Sequence, residues 1–326
     1  MTPFQHMSMR QCDVLQTTRR EFVGGTLLAA ISTRAIAASS RYQIGISPQV
    51  AGTAWSKDIW LAFREIREVG YRYVEAFIGS FLEYYDGNKP DQLQKRMDGA
   101  GVHFVTISNG APMEAHFEDP EKHGKIIEEH LRLVRFIKRL GCKHLKINLG
   151  SRRPTGTTGE DLKHMAAVLN ELGPRIANEG LQFGIHPHMW SQLENRREID
   201  YLMANTDPKH VMLVLDTGHI NMAGIDPVEL SRTLGHRVLE YHLKDTKKEW
   251  LGGAKQRVDN PDMQKDPPFF PLGHGGVDFV ALKAHLDKIG WRGWMVVQLD
   301  SSPNQSPQEA ARVSAQYIQK TLGMQL

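Results

Sequence analysis

The chain has 326 residues, about 40% of them apolar and 24% charged, with a formal net charge of +3 and two cysteines. That balance excludes a disordered or fibrous polymer and supports a large buried core. A charge so close to zero leaves no electrostatic footprint for nucleic acid or an anionic lipid surface, and neither is expected as a partner.

The first residues read as an address rather than as part of the fold. Thr17-Thr18-Arg19-Arg20-Glu21-Phe22-Val23 places two arginines ahead of a short apolar run, 23–31, and Ala35-Ile36-Ala37 supplies small residues for cleavage. The run is too short, and too diluted by glycine, to span a bilayer. Residues 1–37 are therefore expected to be a twin-arginine export signal. The Tat export machinery would be a transient partner, the destination periplasmic or secreted, and no stable membrane anchor would remain after cleavage. Losing Arg10, Arg19, Arg20 and Arg34 with Asp13 and Glu21 removes a net +2 and leaves the rest near +1. Cys12 would leave with the signal, so Cys142 stands alone and no internal disulfide is available.

From residue 38 onward one junction recurs: a charged helical stretch ends in glycine and a β-rich run follows. Gly70 precedes Tyr71-Arg72-Tyr73-Val74, and Gly101 precedes Val102-His103-Phe104-Val105. Gly141, Gly180 and Gly290 stand before similar runs. Glycine accepts the left-handed cap that a tight helix-to-strand turn requires. Strands are expected near 42–46, 71–77, 102–108, 143–149, 181–188, 210–216, 237–243 and 294–300. Amphipathic helices fill the gaps, as in 126–140 with Ile127, Leu131, Val134 and Ile137 about a turn apart. Eight alternating units without a linker predict a single-domain α/β fold, a closed (β/α)8 barrel over 38–326.

The one long irregular stretch, 246–276, carries Gly252-Gly253, Pro261, Pro267-Pro268, Pro271 and Gly273-His274-Gly275-Gly276. It follows strand seven on the face where barrels carry their functional groups, and it reads as a lid or pocket wall.

Metal-ligand residue types gather at four consecutive strand ends. Strand five closes with His186-Pro187-His188, strand six with Asp216-Thr217-Gly218-His219, strand seven with His242-Leu243-Lys244-Asp245, and strand eight with Gln298-Leu299-Asp300. Asp216 follows a fully apolar run, which puts its carboxylate inside the barrel mouth, and a buried carboxylate needs a partner. A metal is the partner most compatible with imidazoles from the neighbouring strands.

Four motifs together resemble the sugar isomerase/epimerase superfamily, the xylose-isomerase-like barrels. They are Asp-Thr-Gly-His at 216–219, His-Leu-Lys-Asp at 242–245, Gly-His-Gly-Gly-Val-Asp-Phe at 273–279 and Gly-Trp-Met-Val-Val-Gln-Leu-Asp at 293–300. His186-Pro187-His188 followed by Glu194 is similar, more narrowly, to the inosose-dehydratase-like branch. The resemblance implies one divalent ion, Mn, Co, Mg or Zn, held by His186, Asp216, His242 and Gln298. It also implies a small-molecule carbohydrate substrate faced by His219 and Lys244, with His188 and Glu194 as acid/base candidates. Whether His186 or His188 is the strand-five ligand, and the oligomeric state, stay open.

The epimerases of this superfamily place glutamate at the strand-five and strand-eight ligand positions as two opposed bases. This chain has His186 and Gln298 there, and an amide accepts no proton near neutral pH. The expected chemistry is abstraction of a proton α to a carbonyl of a sugar or keto-sugar by one base. Elimination, as a dehydratase or keto-glycoside lyase, and isomerisation or epimerisation are its two outcomes. A non-catalytic periplasmic sugar-binding barrel and an apurinic-endonuclease-like nuclease are the rival readings. Asn148, Trp190 and Glu75 are further substrate-binding candidates; Glu75 reads more naturally as a rim carboxylate satisfied by an arginine or backbone amide. Trp250 also lies on the expected face, and Arg152 and Arg153 follow Asn148 without a phosphate-cradling glycine pattern.

Overall fold

The computed structural model describes residues 41–247, 267–302 and 304–326. The expected signal, 1–37, Trp250 and the centre of the 246–276 stretch lie outside the described residues. Eight strands run parallel around one barrel: β1 Tyr42–Ile46, β2 Tyr73–Phe77, β3 His103–Ser108, β4 His144–Ile147, β5 Gln182–Ile185, β6 Val211–Asp216, β7 Val238–Leu243 and β8 Gly293–Val297. Neighbours follow the order β3-β2-β1-β8-β7-β6-β5-β4, so the ladder closes everywhere except between β3 and β4. Side chains stitch that seam. Thr106 donates to the His144 carbonyl at 2.7 Å, and Asn109 both donates to the Asn148 carbonyl at 3.0 Å and accepts from its N–H at 2.7 Å.

The helices follow from the junctions read in the sequence. Gly70, Gly101, Gly141, Gly180 and Gly290 all take positive φ, between 70° and 118°. Helix His123–Arg139 lays Ile126, Ile127, Leu133, Val134, Phe136 and Ile137 against the barrel, whereas Leu131 is only partly buried. Each fully buried side chain of that size contributes roughly 1.5–3 kcal/mol. His130 joins the buried face, donating from Nδ1 to the Ile126 carbonyl at 2.7 Å and accepting from Asn109 at 3.1 Å. Among the described residues no helix is long and apolar enough to cross a membrane.

Several strands are shorter than expected because their last residues turn toward side-chain partners, yet backbone pairing carries on by one step. His186 N–H donates to the Ile147 carbonyl and Gln298 N–H to the Leu243 carbonyl, both at 3.0 Å. The two residues are thus held by the sheet itself, at the strand ends where the motifs placed them.

The barrel axis is unexpectedly polar. His144 pairs with Glu240 at 2.5 Å and Lys146 with Glu75 at 2.7 Å, Lys146 being 0% exposed and Glu75 1%. Glu75 is therefore no rim carboxylate satisfied by arginine or backbone: its partners are Lys146, His242 and Gln298, deep in the barrel.

Candidate metal centre

The Asp-Thr-Gly-His turn can be explained letter by letter. Asp216 ends β6 and caps the helix Thr217–Met222, its Oδ1 accepting from the N–H groups of Gly218 and His219 at 2.9 and 3.0 Å. The Thr217 hydroxyl lies 2.7 Å from the Lys244 carbonyl and accepts from the Lys244 N–H at 3.0 Å, joining the ends of β6 and β7. A Cβ on Gly218 would stand 2.6 Å from Cγ of Lys244, so only glycine lets that side chain pass. His219 then reaches the Lys244 ammonium.

With Oδ1 of Asp216 committed, Oδ2 faces His186 Nε2 at 3.5 Å and His242 Nδ1 at 3.4 Å. All three residues are buried, and these three atoms have no hydrogen-bond partner. Each buried polar atom left so costs about 1–3 kcal/mol. The opposite face of each ring is anchored. His186 Nδ1 lies 3.0 Å from the Asn148 side-chain oxygen, and His242 Nε2 lies 2.8 Å from Glu240 and 3.1 Å from Glu75. Two unpaired imidazole nitrogens, their rings oriented from behind, and a carboxylate oxygen that makes no hydrogen bond fit a divalent ion. Gln298 donates from its amide nitrogen to Glu75 at 3.0 Å, leaving its carbonyl oxygen as a fourth donor on the next strand.

Burial would lower the pKa of His242, but Glu75, Asp216 and Glu240 outweigh both that effect and the opposing Lys146, and raise it to about 10. His186 moves the other way: burial and the charge of Lys146 hold it well below the usual imidazole range.

A second cluster adjoins the first. Lys244 Nζ stands 2.8 Å from His219 Nε2, 2.8 Å from Asp300 and 3.2 Å from Asp216 Oδ2. Burial works against its charge, yet the two carboxylates prevail and the pKa is raised, which makes Lys244 a fixed cation rather than a base. An ammonium has no lone pair to offer, so His219 accepts at Nε2 and carries its proton on Nδ1. Asp300 is drawn far below the usual carboxylate range: burial raises it, and Lys244 with His219 lowers it by more.

His188 stacks on His219 with ring centroids 3.6 Å apart and donates from Nδ1 to the Met189 carbonyl at 2.6 Å. Burial first, then the neighbouring His219 and Lys244, push its pKa down to about 3. Neutral His188 therefore presents a free lone pair at Nε2. It shares a chamber of about 300 Å³ with His186, Gln298, Asp300, Lys146 and Phe77. Glu194, the other acid/base candidate, is turned away: its carboxylate accepts from the Trp190 N–H at 2.6 Å and does not line that chamber. Asn148 supports His186 and also faces a neighbouring chamber with Trp190.

The Gly-His-Gly-Gly stretch serves as an anchor. Asp245 accepts from Gly273 and Gly275 at 2.9 Å on one oxygen, and from Thr246 at 2.9 Å and Val277 at 3.0 Å on the other. Thr246 pairs antiparallel with Phe269, and a Cβ on Gly275 would lie 2.3 Å from the Asp245 carboxylate.

Sequence reasoning missed His144, Lys146 and Glu240, and it gave Asp300 no role beyond its place at the end of strand eight. The signal for the first three was there: His144-Leu145-Lys146 and Glu240-Tyr241-His242 place ionisable residues at alternate positions of buried strands, on one face.

A model of the "Xylose isomerase-like TIM barrel" family matches residues 63–321. The inosose dehydratase of Geobacillus thermodenitrificans is 34% identical over 230 residues, covering 69% of this chain and 77% of that protein. The rhizopine catabolism protein MocC of Rhizobium meliloti is 32% identical over 58% of this chain and 60% of its own length. Among solved structures, IOLI protein with a bound zinc atom superposes with a TM-score of 0.66 at 20% identity, over 86% of this chain and 98% of that one. The 3-keto-D-glucoside 4-epimerase YcjR of E. coli gives 0.63 at 18% identity, over 85% and 99%. At such identities the structures speak for the fold, while the family match covers most of the chain. The chain belongs to the xylose isomerase-like TIM barrel family.

Proposed function

We propose that the protein is a divalent-metal-dependent enzyme that eliminates water or an alcohol from a keto-sugar. The observation that carries this reading is the convergence of three buried donor atoms of His186, Asp216 and His242, none of them hydrogen-bonded, beside the lone pair of His188. Those donors and Gln298 would hold a divalent ion, which would supply Lewis-acid polarisation of a substrate carbonyl.

The protein's own groups supply the proton transfers. His188 Nε2 takes the proton from the carbon next to the carbonyl, and the C–H electrons become the new C=C bond. The C–O bond at the β carbon breaks, and the imidazolium returns its proton to the departing oxygen. One neutral base thus serves both transfers, which suits a site where Glu194 is committed to Trp190 and Gln298 cannot titrate. Lys244 keeps Asp216 and Asp300 ionised and in place.

The inosose dehydratase relative, by its name, performs such a loss on a cyclic keto-polyol, which supports the elimination outcome over isomerisation. The arginine pair and cleavage-site alanines of residues 1–37 support export by the twin-arginine route as part of the same proposal. To test the chemistry, metal-loaded protein is incubated with inososes and 3-keto-glycosides in deuterated water. Release of water or alcohol is expected, with His188→Gln slower by about 10²–10⁴-fold. Deuterium incorporation without loss of a group would convert the reading to isomerisation; no exchange and no release from any of them would sink it.

A further inference from the structure

The chamber beside His188 does not end there. A second one, about 440 Å³, shares His188 and Phe77 with the first and continues to Trp190, Met189, Gly110 and Glu114. Each volume by itself lies in the roughly 300–1,000 Å³ range of small-molecule sites. Side by side they exceed what one sugar ring at the metal centre fills.

The walls of the second chamber are mostly apolar, and one of them is held in a costly conformation. Trp190 sits at φ 64°, a region most side chains avoid at roughly 1–3 kcal/mol. Two bonds hold it there: its N–H donates to Glu194 at 2.6 Å and its carbonyl accepts from the Arg152 N–H at 2.7 Å. The rings of Trp190 and His188 lie 6.3 Å apart. The indole on this braced backbone lines the chamber next to the proposed base, its plane at 65° to the His188 ring. Charge narrows the occupant further. Among the described residues the chamber's titratable groups are Glu114 and His188, and no lysine or arginine lines it. The nearby arginines are engaged elsewhere, Arg152 with Glu198 at 3.0 Å and Arg153 with Asp161. Among the described residues a phosphate would find no counter-charge there.

Resting on the function proposed above, we infer that the second chamber binds an uncharged, planar, apolar group joined to the sugar. The substrate is a keto-glycoside with an aromatic aglycone rather than a free ring or a sugar phosphate. Glu194, through Trp190, is then a positioning residue for that group.

Affinities of the metal-loaded protein for 4-nitrophenyl 3-keto-glucoside, methyl 3-keto-glucoside and 3-keto-glucose 1-phosphate test this, read by calorimetry. The aryl glycoside is expected to bind about tenfold tighter than the methyl glycoside or more, and the phosphate more weakly than either. Two chamber-filling variants provide the control. Gly110→Leu has room, its nearest contact being Phe77 at 3.5 Å, and Gly79→Phe points a side chain where no atom lies within 4 Å. Both are expected to collapse the aryl-to-methyl ratio toward one. Equal binding of the two glycosides by the wild type, a ratio that survives both fillings, or preference for the phosphate overturns the inference. Tight aryl binding without release of the aglycone would instead overturn the catalytic reading and leave the chamber's role standing. Release from both glycosides at equal efficiency would do the reverse.

Discussion

Two charged clusters share one rim of the barrel and are built in opposite ways. In the first, His186, Asp216 and His242 aim three donor atoms at one point, the two ring nitrogens unpaired and the Asp216 oxygen 3.2 Å from the Lys244 ammonium. In the second, His188, His219 and Asp300 also lie within reach of one ion, but Lys244 already stands 2.8 Å from two of them. Identical residue types thus serve either to receive a cation or to surround one the chain brings itself. What separates the two is how one ammonium is shared: it stands 2.8 Å from two members of the second cluster and 3.2 Å from one member of the first, and it passes because position 218 is glycine.

The largest test of that contrast is Asp216→Ala. It removes the shared oxygen of the first cluster and one counter-charge of Lys244, so bound metal is expected to fall from one equivalent to none. Turnover should drop by roughly 10³-fold or more, with stability lower by about 3–5 kcal/mol. Elemental analysis and denaturant melts report these; one retained equivalent of metal would show that the first cluster is not the receiving one. Next comes Lys244→Met, which strips the second cluster of its own cation. A loss of about 3–5 kcal/mol is expected in chelator, and added manganese should restore much of the melting temperature because Asp300 and His219 then face an ion-sized gap. If manganese protects the variant no more than the wild type, the resident-cation description fails. The smallest effect is that of Asn148→Ala. It leaves all ligands in place and frees the back of His186, so metal affinity should weaken about 10–100-fold with little change in the metal-free melting temperature. A competition titration with a fluorescent chelator measures it.

The same contrast shows what could be read from residues alone. The barrel was legible because glycine junctions and strand alternation are local, repeating signals. His186, Asp216 and His242 were legible because each ends its own strand, and the fold alone brings those ends together. The axis was not. Lys146 meets Glu75 across 71 residues and His242 meets Glu75 across 167, pairings that only closure of the barrel determines. Glu75 consequently reads as a rim carboxylate while it lies buried against His242. Nor does the sequence around Trp190 betray its left-handed backbone, which depends on the Glu194 carboxylate folding back four residues.

The open seam between β3 and β4 has its own consequence. Its closure depends on Asn109 gripping the backbone of Asn148, and the side chain of Asn148 in turn steadies His186. Parting of the two strands would release that imidazole at the same moment. An ion bound by His186 would therefore act as a clasp on the barrel wall: occupancy would disfavour fraying, and fraying would become the natural exit route for the ion. Retention of the metal and integrity of the wall would then be two faces of one local equilibrium.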